Sequence, residues 1–142
     1  SAESAERKIK MAPTKKELNR LSEIIIGAAI AVHRELGPGL LESAYEACLQ
    51  FELVGRGLRV ERQKELPITY RGHLVEAGYR IDLFVEGLVI VELKAVDKLH
   101  PIHEAQVISY LKLSGCNLGL LINFNVRVLK DGLKRLVRDL PV

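Results

Sequence analysis

Apolar residues recur at helical spacing along the first third of the chain and at strand spacing along the middle. Leu18, Leu21, Ile25, Ala28, Val32 and Leu36 follow one another at intervals of three or four, which predicts a helix from about Lys15 to Leu36. Thr14 and Glu17 have capping-box spacing at its start. "GPG", Gly37 to Gly39, closes it, because glycine tolerates left-handed backbone angles and proline cannot continue the helix before it. "LLESAYEACLQFELVGRG" is helical again, with Leu41, Ala44, Tyr45, Cys48 and Phe51 as the expected apolar stripe and Gly55 and Gly57 as the stop. Glu42 falls in its first turn, near the positive end of the helix dipole.

From Leu58 to Val96 the period shortens. "LRVERQKELPITYRG" holds two short strand candidates interrupted by Pro67, and Tyr79–Val85 and Leu88–Val96 form a hairpin joined at Glu86-Gly87. Ile102 to Leu113 reads as a helix with Val107, Tyr110 and Leu111 inward, and "NLGLLINFNV" as a further buried strand. The tail fits either a helix through Leu129, Leu133, Leu136, Val137 and Leu140 or a short edge strand at "LKRLV". The order of elements predicts an α/β fold, a central sheet covered by helices.

Composition narrows the class. A chain of 142 residues, 48% hydrophobic and 27% charged, suits one domain with a sizeable core. "IIIGAAIAV" is far shorter than the ~20 residues that cross a bilayer, so the expectation is a soluble cytoplasmic protein with no membrane partner. Cys48 and Cys116 stand apart without zinc-site spacing and are expected buried and reduced. A net charge of +3 is compatible with a polyanionic partner and does not require one. Residues 1–10, "SAESAERKIK", show no apolar period and read as a tag remnant or disordered tail, leaving residues 11–142 as the domain.

The hairpin carries the unusual chemistry. Ile81, Leu83, Val85, Val89, Val91, Leu93 and Ala95 are expected on one face, and Phe84, Leu88, Ile90 and Val96 on the other, so the sheet should be covered on both sides. Asp82, Glu92 and Lys94 then sit on or beside covered surface, where an unpaired charge must be paired, neutralised or bound to metal. Alternation puts Glu92 and Lys94 on the same face. A two-residue turn sets Asp82 opposite Val91; a three-residue, bulged turn with Gly87 left-handed sets it opposite Glu92, and is the expected register. Two converging carboxylates suit Mg²⁺ or Mn²⁺, and a lysine beside them can hold the attacking water and offset developing charge. An ion-pair network with no chemistry accounts for the charge pattern equally well.

Asp82, Glu92 and Lys94, spaced as D-x9-E-x-K across a hairpin, resemble the active-site signature of the PD-(D/E)XK nuclease superfamily, with Ile81 where that signature has proline. "GLLESAY", Gly39 to Tyr45, preceded by "VHRELGP", resembles the motif of the GxxExxY protein family, which lies within that superfamily; the likeness runs from about Leu21 to Leu136. It implies a restriction-endonuclease-like core, a mixed sheet flanked by helices. It further implies Asp82, Glu92 and the Leu93 carbonyl as metal ligands and Lys94 as the catalytic lysine. Glu42 resembles the helical glutamate that many members add to the metal shell, and Gln106 and Tyr110 in "QVISY" resemble the Q-x-x-x-Y motif of the RecB-like branch. The implied activity is Mg²⁺- or Mn²⁺-dependent cleavage of nucleic acid, DNA being the expected substrate, and a homodimer is compatible with it. The competing expectation is a nucleic-acid-binding or protein-interaction module that retains the fold without catalysis. Lys130, Lys134, Arg135 and Arg138 form a basic cluster that could meet phosphates. His33, His100 and His103 are expected at helix ends as capping or packing groups.

Overall fold

The computed structural model describes residues 12–142; the reading of residues 1–10 as a tag remnant or tail lies outside them. Helix α1 spans Lys15–Leu36 and is entered through Thr14, whose hydroxyl accepts the Glu17 N–H at 3.1 Å. It ends at Gly37 (φ 68°), whose N–H returns to the His33 carbonyl at 2.8 Å. Helix α2 spans Glu42–Gly55. β1 (Val60–Glu65) is followed by β2 (Ile68–Tyr70) and β3 (His73–Val75), which pair only with each other. β4 (Arg80–Val85), β5 (Val89–Lys94), α3 (Pro101–Ser114), β6 (Leu118–Asn123) and β7 (Leu133–Val137) complete the chain, with a 3-10 turn at Leu129–Gly132.

The main sheet is five-stranded and mixed, in the order β1-β4-β5-β6-β7. β5 and β6 run parallel because α3 crosses over between them, and every other pair is antiparallel. α1 and α2 cover one face, where Leu21, Ile25, Tyr45 and Leu49 meet Leu83, Val91, Leu93 and Leu120. α3 covers the other, where Tyr110 and Leu111 meet Ile81 and Ile90. Gly119 lets that helix approach: a Cβ there would lie 2.7 Å from Val107 Cγ1. The expected α/β sandwich of helices about a mixed sheet is the observed architecture.

Several local expectations are corrected. The buried stripe of α2 is Tyr45, Glu46, Leu49 and Leu53, whereas Leu41 and Phe51 are 77% and 79% exposed. Apolar residues occupy more than one side of this helix, so period alone could not choose its rotation. The Tyr45 ring, stacked on Phe124 at 4.6 Å, chooses it. Ile81 leaves the face expected for it and packs with Leu66, Ile90 and Tyr110, next to the point where left-handed Gln63 (φ 54°) interrupts the β1–β4 pairing opposite Asp82. Leu88 sits in the turn rather than in β5 and packs on the α1–α2 side.

The tail resolves as the edge strand, and strand alternation divides the basic cluster. Lys134 meets Glu104 of α3 at 3.4 Å, while Arg135 donates to Asn19 of α1 at 2.8 Å. The two therefore do not share a phosphate-facing surface. Cys48 and Cys116 are free and half-buried rather than fully buried.

Candidate functional site

The β4–β5 turn sets the register on which the site depends. Glu86 (φ 55°) and Gly87 (φ 64°) are both left-handed, and Leu88 N–H closes the turn on the Val85 carbonyl at 3.0 Å. A non-glycine residue is held there because Glu86 is tied at both ends to Arg59: its N–H donates to the Arg59 carbonyl at 2.8 Å and its carboxylate accepts the Arg59 N–H at 2.6 Å. Leu88 becomes the extra residue, Val85 pairs with Val89, and the three-residue register carries Asp82 to Glu92.

Backbone pairing stops there and the carboxylates replace it. The Asp82 N–H donates to Glu92 Oε1 at 2.9 Å, and the Leu93 N–H donates to Asp82 Oδ2 at 2.9 Å. Because the N–H and C=O of a strand residue point to the same side, the Leu93 carbonyl also faces the gap between β4 and β5. Glu92 is 4% exposed, and burial, then the Asp82 charge, push its carboxyl up to about 8. Burial likewise raises Asp82, against the lowering effect of the Leu93 N–H. Among the described residues neither carboxylate has a lysine or arginine within 4.0 Å; Arg62, on the neighbouring strand β1, is taken by Glu46 at 2.6 Å, and Arg80 by Glu65 at 3.5 Å. A buried and a half-buried carboxylate without a cation in contact can share a proton or a metal ion.

The donor set fits a hard divalent ion. It offers two carboxylates and an edge carbonyl, while no group of three His, Cys, Asp or Glu side chains is gathered for a metal among the described residues. Two carboxylates and a carbonyl match an ion that keeps waters or phosphate oxygens as its remaining ligands.

Glu42, at the start of α2, stands half-buried in the fields of Lys94 and Asp82; burial raises its carboxyl and Lys94 lowers it. It is brought near the pair without a hydrogen bond to either. Its place follows from "GLLESAY": the Tyr45 hydroxyl donates to the Gly37 carbonyl at 2.6 Å and accepts the Leu40 N–H at 3.1 Å, which fixes the turn that delivers Glu42.

Three residues were not anticipated. Glu46, 6% exposed, accepts from Arg62 Nε and from Gln63 Nε2, each at 2.6 Å, and Gln63 Nε2 also reaches Asp82 Oδ1 at 3.2 Å. Gln63 has φ 54° inside β1, and the pairs Arg62↔Leu83 and Lys64↔Ile81 bracket it against Asp82. Asp82 is thus flanked by Gln63 on one neighbouring strand and Glu92 on the other. The spacing of Glu42 and Glu46, one helical turn, was the available sequence signal for Glu46. Nothing local marked Gln63.

Lys94 is half-buried and, with Gln106 and Tyr110, lines a cleft of about 640 Å³ beside α3. The Tyr110 hydroxyl is pushed up to about 12 by burial, then by the charges of Glu92 and Asp82. His103 accepts the His100 N–H on Nδ1 at 3.1 Å at the entry to α3, and His33 Nε2 lies 2.7 Å from the Val126 carbonyl. Both are end or packing groups, as expected.

A family model described as PD-(D/E)XK nuclease superfamily matches residues 19–136. Neither the curated proteins nor the solved structures contain a match.

Proposed function

The chain belongs to the PD-(D/E)XK nuclease superfamily, and from that membership we propose that it is a metal-dependent phosphodiester hydrolase acting on nucleic acid, with DNA as the substrate. The observation that carries the reading is the Asp82–Glu92 pair, with Glu92 buried and Asp82 half-buried, which has no cationic partner within 4.0 Å among the described residues. Asp82, Glu92 and the Leu93 carbonyl would hold Mg²⁺ or Mn²⁺. Such an ion supplies Lewis-acid stabilisation of the phosphoryl oxygens and lowers the pKa of bound water.

The chain's own groups do the rest. Lys94, on the same strand face as Glu92, holds the attacking water by hydrogen bonding and offsets negative charge that builds on the phosphate. Glu42 and Gln106 complete the shell, and Tyr110 closes one wall. "GLLESAY" supports placing the chain in the GxxExxY family. The same reading takes residues 11–142 as one cytoplasmic domain, and a homodimer is compatible with it.

Calorimetric titration of Mn²⁺ into the wild-type protein and into Asp82→Ala tests the centre. Binding that vanishes in the variant is expected, and Lys94→Ala should abolish cleavage of an oligonucleotide while leaving the fold intact. If the wild type binds no Mn²⁺ even with oligonucleotide present, the non-catalytic binding or interaction module becomes the better account.

A further inference from the structure

The cleft that opens at Lys94 is larger and more apolar than a phosphate requires. Its volume is about 640 Å³, within the range of sites that enclose a small organic group. Ile68 from the β2–β3 ribbon, Tyr79 just before β4 and Ile102 on α3 form its apolar rim. Tyr79 is 42% exposed and Ile102 70% exposed, so both are accessible to a ligand in the cleft. Tyr79 meets Tyr110 edge-to-face, with centroids 6.1 Å apart and planes at 64°. An edge-to-face contact covers the face of only one of the two rings, and with Tyr79 half exposed an aromatic face is left for a third group. Lys94 and Lys112 line the same cleft and no Asp or Glu does.

We propose that this cleft is a nucleobase subsite, which accepts an unstacked base next to the phosphate being cut, so that the substrate is single-stranded or frayed at that point. The proposal rests on the nuclease reading and specifies its substrate. A flat apolar group attached to a phosphodiester is the occupant that satisfies all of these features: an aromatic face for stacking, aliphatic walls, cations for phosphate, and direct continuity with Lys94 and Gln106. A base inside a duplex is stacked on its neighbours and paired, and reaches such a cleft only after unstacking. The open end of a single strand pays little of that cost.

Fluorescence anisotropy at fixed salt, with Ca²⁺ present to neutralise the carboxylates, decides the matter. The probes are a short single-stranded DNA and a blunt duplex of the same sequence. Tyr79→Ala should weaken single-strand binding roughly five- to hundredfold, the range that base–aromatic stacking spans, and leave the duplex unaffected. Tyr79→Phe should retain single-strand affinity. Ile102→Glu, at an exposed position where folding is not at stake, should weaken the single strand as well. A 2-aminopurine base in the strand should be quenched by the wild type and not by Tyr79→Ala. Equal effects on both DNA forms, or no effect of either variant, would overturn the subsite alone. Failure of the wild type to bind any DNA would overturn the nuclease reading, and the subsite with it.

Discussion

Asp82 and Glu92 are each bound at the other's strand: the Asp82 amide donates to Glu92 Oε1, and Asp82 Oδ2 accepts from the amide of Leu93, both at 2.9 Å. The side chains thereby substitute for a stretch of β-ladder, so the backbone fixes both carboxyl groups. The arrangement has a cost, because the two groups face each other with little access to water.

That cost gives a pH dependence. Glu92 is held up at about 8 against an ordinary 4.5, so the fold retains a proton that the unfolded chain releases. Below the ordinary value both states are protonated and the fold keeps its full stability; as pH rises from there through about 8, stability falls. The raised Asp82 acts in the same direction. Melting temperature in chelator should therefore drop across this window, and Mn²⁺ should reduce the drop by replacing the proton. A chelated protein whose melting temperature is flat or rising there would contradict the arrangement.

Gln63 separates Glu46 from Asp82 by donating to both. Gln63→Leu removes that shared donor and should weaken Mn²⁺ binding about 10- to 100-fold, as loss of a ligand-orienting partner does. Titration calorimetry reads the change, and unchanged affinity would remove Gln63 from the centre.

Tyr45→Phe keeps the stack on Phe124 and deletes only the hydroxyl that bonds Gly37 and Leu40. Urea unfolding should show a loss of roughly 1–2 kcal/mol, because two backbone groups lose their partner. A neutral result would mean that water replaces the hydroxyl and that the turn holds itself.

A methyl group at Gly119 would press on Val107. Gly119→Ala should destabilise by about 1–3 kcal/mol, the usual cost of overpacking. Val107→Ala in the same chain should recover part of the loss, a coupling that a double-mutant cycle on chemical denaturation measures. Strict additivity of the two changes would place the strain elsewhere.

Much of the fold was legible because much of it is local. Thr14, the Gly37–Gly39 break and the apolar period between them define α1 without reference to the rest of the chain. Gly87 in a short turn was enough to select the register that joins Asp82 to Glu92. β3 was missed: its "HLV" is exposed and too short to show a period, and it exists by pairing with β2.

The helices, the hairpin and the spacing of Asp82, Glu92 and Lys94 are legible locally, since capping, periodicity and turn chemistry act between residues a few positions apart. Tertiary structure alone decided which side of α2 turns inward, where Ile81 packs, how β7 divides its basic residues, and that Glu46, Gln63 and Tyr79 stand at the site. Each of those depends on a partner distant in the chain, Phe124 for Tyr45, Arg62 for Glu46, Asp82 for Gln63 and Tyr110 for Tyr79. A buried glutamate or a left-handed glutamine is stable only when that partner arrives, and no local pattern carries the information that it will.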